Sequence, residues 1–210
     1  MTLDIQRIVT EAVALLDAEG LDGVTTRKLA ARLGVRSPTL YWHVPNKAAL
    51  VTAIAEAILG QQFPELVPPE PEERWQDWLI GIAERLRHAL LAHPDGARVI
   101  SASQLSLKMA AISELAMSTL VGRGIPLRQA RLIVFTVERF TVGYVLEEQA
   151  PRPDADALNG FDMATYAEAY PTVVAGIAEY FQPGRTVHDL FRECLELIIE
   201  GSAAKSGPTP

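Results

Sequence analysis

Residues 25–50 read T-T-R-K-L-A-A-R-L-G-V-R-S-P-T-L-Y-W-H-V-P-N-K-A-A-L, a pattern that predicts two short helices joined by a tight turn. Thr25 is a favoured N-cap residue, so the first helix is expected to begin directly after it. Gly34 ends that helix, because glycine readily adopts the left-handed conformation that often follows a helix. Ser37-Pro38 is typical of a second helix start, with serine as the N-cap and proline at the first helical position.

The charge of the chain is unevenly distributed. The formal net charge is −7, from 19 Lys and Arg against 26 Asp and Glu. No acidic residue occurs between Asp22 and Glu56, whereas this segment holds five cations; residues 56–210 hold 13 of the cations and 21 of the acids. A small basic block on an acidic body can bind a polyanion while the body keeps the protein soluble. The alternative, a merely solvated helix surface, is disfavoured by the spacing of the cations.

Two short helices joined by a glycine-containing turn on a basic segment match the helix-turn-helix arrangement. Arg27 and Lys28 lie near the N-terminus of the first helix, where the helix dipole also favours a phosphate. Thr39 offers a hydroxyl and a methyl group, which suit a phosphate or the methyl group of thymine. Leu40 is expected in the core, whereas Trp42 is left open between a partly buried position and contact with nucleic acid.

The remainder of the chain has helical periodicity. Four prolines in residues 60–72 indicate a joint after the helix that Asn46 caps. Further helices are predicted over residues 75–91, 97–100, 107–121, 126–149, 163–180 and 186–203. No alternating run argues for a sheet, so we expect an all-α protein of about ten helices. We expect a helix-turn-helix domain at 1–46, a connecting helix at 47–63, an effector-binding and dimerisation domain at 64–205, and a disordered tail at 206–210.

Several classes of protein are excluded by composition. Apolar residues make up 49% of the chain, but their runs are too short and too often interrupted by charge to span a bilayer. The N-terminus lacks the pattern of a signal peptide, and the single cysteine, Cys194, allows no internal disulfide. We therefore expect a cytoplasmic protein that has no membrane partner, no metal and no cofactor.

The run from Thr25 to Leu50 resembles the DNA-binding domain of the tetracycline-repressor (TetR) family. The resemblance continues in the segments W-Q-D-W (75–78), A-L-L-A-H-P-D-G-A-R-V (89–99), F-T-V-G-Y-V-L-E-E-Q (140–149) and L-E-L-I-I-E-G (195–201). It implies a repressor that binds a palindromic double-stranded DNA operator as a homodimer and is released by a small-molecule effector. An activator or dual regulator of the same family stays open, because the sign of regulation depends on where the operator lies.

The resemblance, together with the basic segment, assigns a set of DNA-contacting positions. They are Thr26, Arg27, Lys28, Arg36, Ser37, Pro38, Thr39, Tyr41, Trp42, His43 and Lys47. Arg36 and Ser37 replace an acidic residue and a glutamine of the tetracycline-sensing members, so the operator sequence is expected to differ. For Arg36, a contact with guanine and a contact with phosphate are both open.

The effector site departs further from the tetracycline-sensing members. The predicted effector residues are Phe63, Ile82, Leu86, Ile100, Ser103, Gln104, Met109, Met117, Phe135, Glu138, Arg139 and Glu147. Ile100 replaces the histidine that binds the metal in those members, and Glu147 alone is insufficient for a magnesium site. We therefore expect a largely hydrophobic effector with one or two oxygen functions, and not a tetracycline–magnesium complex. Arg139 lies in an apolar helix, so it needs a partner, either an internal carboxylate or the ligand.

Dimerisation is predicted through the helices near 126–149 and 186–203, whose apolar faces suit a four-helix bundle between two subunits. A two-fold dimer places its recognition helices about 34 to 36 Å apart, one turn of DNA.

Two other classes of function were weighed. An all-α enzyme is disfavoured because the four histidines are scattered and no nucleophile lies beside a base. A partner-binding module without DNA contact is disfavoured by the acid-free basic segment.

Overall fold

The structure of the protein is a computed structural model that describes residues 3–103, 105–151 and 159–204. These residues contain eleven helices and no strand, which confirms the predicted all-α class. The helices are α1 Ile5–Gly23, α2 Thr26–Leu33, α3 Ser37–Tyr41, α4 Lys47–Gln62, α5 Trp75–Leu91, α6 Gly96–Ala102, α7 Leu107–Gly122, α8 Leu127–Glu148, α9 Met163–Ala169, α10 Pro171–Tyr180 and α11 Val187–Ala204.

The predicted helix caps are largely confirmed. The side chain of Thr25 accepts a hydrogen bond from the backbone N–H of Lys28, and Asn46 accepts one from Ala49. Gly34 has a φ of 68° and ends α2 in the left-handed conformation. Ser37 was wrongly predicted as an N-cap. The chain enters the helix one residue earlier, at Arg36, and no side-chain hydrogen bond caps α3.

The helices α1 to α4 surround a first apolar core. Its largest fully buried side chains are Ile8, Leu15, Leu16, Leu29, Leu40, Leu50, Ile54 and Ile58. Ala89 of α5 and Val99 of α6 belong to the same cluster, so the N-terminal helices pack directly against the body. Burial of these side chains is the main stabilising contribution to this part of the fold.

A second core lies between α5, α7, α8 and α11. It includes Leu79, Ile82, Leu86, Ile112, Leu120, Ile133, Val137, Phe191 and Leu195. Leu59 and Phe63, at the end of α4, are fully buried in this second core. Because α4 also supplies Leu50 and Ile54 to the first core, this helix packs in both cores and connects them.

The segment 163–180 was wrongly predicted as one helix. It forms α9 and α10, which are separated at Tyr170 with φ −130° and ψ 55°. Pro171 explains the break, because a proline disfavours the helical conformation of the residue before it. Neither α9 nor α10 has a buried residue. The predicted disordered tail at 206–210 lies outside the described residues.

No single helix of the described ranges is long and apolar enough to cross a membrane. Only α6 and α7 taken together reach the required length and composition, and they are bent by 86° relative to each other.

Candidate functional site

The end of α3 presents aromatic side chains outward. Trp42 is 90% exposed, and Tyr41 and His43 are exposed beside it. Leu40, in contrast, is only 1% exposed and packs in the first core, as predicted. The partly buried position is therefore excluded for Trp42, whereas its contact with nucleic acid stays a prediction. Large aromatic side chains on a short helix next to a tight turn are available to contact a partner.

The cations around α3 differ in their local partners. Lys28 forms an ion pair with Glu19 of α1, although both side chains are substantially exposed. Within the described ranges, no ion pair involves Arg27, Arg36 or Lys47. These three cations therefore have no carboxylate partner in the described ranges, whereas Lys28 already has one in Glu19.

The other predicted DNA-contacting residues lie on the same two short helices. Thr26 begins α2 and is partly buried. Ser37 is partly buried at the start of α3, while Pro38 and Thr39 are exposed. The N-terminal end of α3 is thus lined by small side chains and is open to a partner, which is the form that entry into a major groove requires.

A cavity of about 440 Å³ lies between α6, α7 and α8. Its lining residues are Ile100, Ser101, Ser103, Ser106, Met109, Ala110, Ser113, Glu138, Arg139 and Val142. Five of the predicted effector residues are among them, namely Ile100, Ser103, Met109, Glu138 and Arg139. The volume lies within the range of small-molecule sites in proteins.

The remaining predicted effector residues lie elsewhere. Phe63 is in the second core, with the guanidinium of Arg85 4.4 Å from its ring centre. Ile82 and Leu86 line a gap of only about 10 Å³, too small for an effector. Met117 packs against the second core, and Phe135 and Glu147 are exposed on α8. Gln104 lies outside the described residues.

The cavity is more polar than the sequence indicated, because four serines line it. Sequence reasoning found only Ser103 and missed Ser101, Ser106 and Ser113. The helical spacing of the sequence could have indicated Ser106 and Ser113. Both lie on the same helical face as Met109, which was predicted to line the pocket.

Two of these serines join α4 to the turn between α6 and α7. The Ser103 hydroxyl oxygen lies 2.7 Å from the carbonyl oxygen of Val99 and 3.2 Å from that of Val51. The Ser106 hydroxyl donates to Glu56 of α4 at 2.6 Å. This wall of the cavity is therefore hydrogen-bonded directly to α4.

Glu138 is the acidic side chain of the cavity. The Ser113 hydroxyl lies 2.5 Å from its Oε1. Burial raises the pKa of Glu138 above its ordinary value, and the hydrogen bond from Ser113 and the charges of Arg139 and Arg131 oppose this only in part.

Arg139 was expected to need a partner, either an internal carboxylate or the ligand, because it lies in an apolar helix. Its side chain is exposed, with the guanidinium 4.9 Å from the ring centre of Phe135. Ion pairs within the described ranges do not involve it. A contact of Arg139 with the ligand stays a prediction.

No group of three or more His, Cys, Asp and Glu side chains that could hold a metal ion occurs in the part of the chain that the structure describes.

Comparison with known families gives two matches that together span most of the chain. Residues 8–54 match "Bacterial regulatory proteins, tetR family", and residues 67–206 match "Tetracyclin repressor-like, C-terminal domain". The chain belongs to the tetR family. The first match covers α2 and α3, so these helices are the DNA-binding helix-turn-helix of a tetR-family regulator.

Individual relatives extend along nearly the whole length. The tetracycline repressor class A from transposon 1721 of Escherichia coli is 37% identical over 198 residues, 94% of this chain and 89% of the relative. The Streptomyces coelicolor tetR-family protein ActR, solved in complex with (S)-DNPA, is 30% identical with a TM-score of 0.81, covering 99% of this chain and 100% of ActR. BioQ, solved with its natural double-stranded DNA operator, is 26% identical with a TM-score of 0.71. The match covers 97% of this chain and 99% of BioQ. These tetR-family relatives are transcriptional regulators rather than enzymes.

Proposed function

We propose that the protein is a repressor that binds a palindromic operator as a homodimer and leaves it when a small molecule enters the cavity between α6, α7 and α8. The effector is a largely hydrophobic molecule with one or two oxygen functions, and not a tetracycline–magnesium complex. The 1–46 segment contacts DNA, 47–63 connects, and 64–205 binds the effector and the second subunit.

The observation that carries this proposal is the position of α4. Lys47 begins this helix, four residues after the exposed aromatic segment that ends at His43. One side of the same helix is bonded to the cavity wall, where the backbone N–H of Lys108 and the hydroxyl of Ser106 donate to Glu56. An effector that displaces this wall moves α4 and, with it, the reading helix. Effector and DNA are then linked through one equilibrium.

The contacts with DNA follow from exposure and charge. Tyr41, Trp42 and His43 are exposed and suit the sugar–phosphate backbone, while Arg27 and Lys47 neutralise phosphates. Thr26, Lys28, Ser37, Pro38 and Thr39 complete the surface, and Arg36 reads a guanine or a phosphate. The relative BioQ was solved with its natural double-stranded DNA operator, which supports an operator as the partner of this chain.

Dimerisation is supported by an apolar face of α8 that its own chain leaves uncovered. Leu132, Phe135 and Leu146 are exposed on one side of that helix at helical spacing. Leu197 of α11 is exposed as well. Apolar faces of two helices that are left uncovered suit a bundle with the same helices of a second copy.

The cavity lining argues against a tetracycline–magnesium effector. Ile100 lines the cavity and cannot ligate a metal ion, and Glu147 is exposed. Ile100, Met109 and Val142 suit an apolar part of the effector, whereas the serines suit its oxygen functions.

A mobility-shift assay on the DNA that flanks the gene, at two salt concentrations, tests the proposal. We expect a specific shift that weakens steeply with salt. Tyr41→Ala and Lys47→Ala should weaken the shift without altering the unfolding midpoint, since both side chains are exposed. Absence of a specific shift on every neighbouring intergenic region would exclude the repressor. Strong thermal stabilisation by tetracycline with magnesium would exclude the proposed effector class.

A further inference from the structure

Two ion pairs join α2 to α1. Lys28 of α2 pairs with Glu19 of α1, and Arg32 pairs with Glu11 at 3.2 Å. Lys28 and Arg32 are four residues apart and therefore lie on one face of α2. Arg27 precedes Lys28 in the chain, so it points about 100° away around the helix. It forms no ion pair within the described ranges. One face of α2 is thus neutralised by α1, whereas Arg27 is not.

The backbone of α1 leaves the room that the Glu19 side chain occupies beside Lys28. The helix is kinked at Gly20, where φ is 68°. A Cβ atom at Gly23 would lie 2.4 Å from the Cβ atom of Glu19 and 3.1 Å from its Oε2. A side chain at position 23 would displace Glu19, because Cβ atoms do not approach other heavy atoms so closely. The position of this carboxylate therefore depends on the shape of α1 as well as on its partner.

Lys28 lies in the first turn of α2, where its backbone N–H donates to the hydroxyl oxygen of Thr25 at 3.2 Å. The N-terminal end of a helix favours a nearby anion. In the free protein the carboxylate of Glu19 is the anion that Lys28 holds there. Because two anions next to one ammonium group repel each other, a DNA phosphate has to displace Glu19 in order to reach Lys28.

We propose that Glu19 takes the place of a DNA phosphate at Lys28 in the free protein and thereby lowers the affinity for DNA. This inference rests on the proposed function, because it takes Lys28 as part of the DNA-binding surface. DNA then exchanges one anion for another at Lys28. The phosphate releases a condensed cation, and the freed carboxylate of Glu19 takes one up. Lys28 therefore adds little to the salt dependence of binding, unlike Lys47, which has no carboxylate to release.

The exchange can be tested with Glu19→Gln, which removes the charge and keeps the size of the side chain. Binding to a labelled duplex of mixed sequence is followed by fluorescence anisotropy between about 50 and 200 mM salt, since phosphate contacts do not depend on sequence. We expect the variant to bind about two- to fivefold more tightly, because breaking an exposed ion pair costs roughly this factor. The slope of log affinity against log salt should become steeper by about one unit. An unchanged affinity and slope would overturn the proposal.

Glu11→Gln is the matched control. It changes the charge of α1 by the same amount and breaks the other ion pair between the same two helices, but Arg32 is not among the predicted DNA-contacting residues. Its salt slope should stay nearly that of the original protein. An equal steepening in both variants would attribute the effect to the net charge of α1 and refute the exchange. The urea unfolding midpoints of the two variants should shift alike and only slightly, because both pairs are exposed.

A double variant shows whether Glu19 acts through Lys28. In a Lys28→Ala background, Glu19→Gln should no longer change the affinity, and a gain that persists there would contradict the inference. Lys28→Ala by itself tests the same point with Glu19 intact. Its salt slope should be nearly unchanged, whereas a slope shallower by about one unit would show that no anion is exchanged at this lysine.

The choice of a mixed-sequence duplex keeps this inference separable from the proposed repressor. A protein that binds this duplex but shifts no neighbouring intergenic region specifically would fail as the repressor, and the slopes of the Glu19 and Lys28 variants would still decide the exchange. A protein that binds no duplex over this salt range would count against both proposals.

Discussion

The carboxylate of Asp95 accepts a hydrogen bond of 2.8 Å from the backbone N–H of Leu21, a residue 74 positions earlier in the chain. Leu21 follows the kink of α1 at Gly20, where φ is 68°, and Asp95 directly precedes α6. A Cβ atom at Gly20 would come within 2.8 Å of the same carboxylate oxygen. The kink of α1 in the DNA-binding domain therefore packs against the start of α6, a helix that lines the cavity.

Replacing Asp95 with alanine should loosen this junction. The N–H of Leu21 is part-buried and loses its acceptor, so we expect the free energy of unfolding to fall by about 1 to 3 kcal/mol in urea denaturation. Asp22→Ala is the matched control, because it removes only an exposed ion pair with Arg98. Equal unfolding midpoints for the two variants would contradict the role given to Asp95.

Replacing Lys47 with alanine should weaken DNA binding uniformly across sequences. Lys47 is exposed and forms no ion pair in the described ranges, so its loss removes one phosphate contact without disturbing the core. The slope of log affinity against log salt should become shallower by about one unit. Arg185→Ala, which removes an exposed cation between α10 and α11 outside the DNA-contacting residues, is the control and should leave the slope unchanged.

Replacing Leu132 with glutamate should abolish the dimer. The residue is exposed on the apolar face of α8 in the single chain, so a charge there is tolerated by the monomer but not by an apolar interface. Sedimentation should show a monomer that no longer binds its operator with high affinity, because the two half-sites are no longer read together. Val121→Glu, at an exposed apolar position on α7, should stay dimeric. A dimer that survives Leu132→Glu would exclude this face of α8 as the interface.

The elements that the sequence predicted correctly depend on local chemistry. The caps at Thr25 and Asn46 and the turn at Gly34 involve hydrogen bonds or backbone conformations within a few residues. The position of Leu40 in the core followed from helical periodicity alone. Such features depend little on the remainder of the fold.

The features that escaped prediction are set by distant parts of the chain. The burial of α8 depends on which neighbours it meets, so Arg139 could be placed on the helix but not on its exposed side. The pairing of Ser113 with Glu138 spans 25 residues and two helices, and no local pattern encodes it. The start of α3 was missed for a local reason. Arg36 and Ser37 are adjacent candidates for the N-cap residue, and the helix uses Arg36.

Replacing Glu138 with glutamine should change how stability depends on pH. A carboxyl group whose pKa is raised by folding binds more protons in the folded than in the unfolded state, so stability is highest below its unfolded pKa and falls as pH rises toward the folded pKa. Glutamine carries no such titration. From about pH 4.5 upward, the original protein should therefore lose stability relative to Glu138→Gln as pH rises. A difference that stays constant with pH would show that burial does not raise this pKa.

Replacing Arg87 with alanine should destabilise the protein more than the loss of any surface ion pair. Its guanidinium holds both carboxylate oxygens of Glu148, at 2.8 and 2.5 Å, and the two side chains are only 14% and 17% exposed. Removing one partner of this partly buried pair leaves the other charge partly desolvated, at a cost of about 1 to 3 kcal/mol. Arg185→Ala is the control, since Arg185 also makes two bonds to one glutamate but is substantially exposed, and its unfolding midpoint in urea should barely move.

Adding Glu148→Gln to Arg87→Ala should recover part of the lost stability, because it removes the unpaired charge. A double variant no more stable than Arg87→Ala would attribute the loss to the packing of Arg87 against the ring of Phe191, 5.2 Å away.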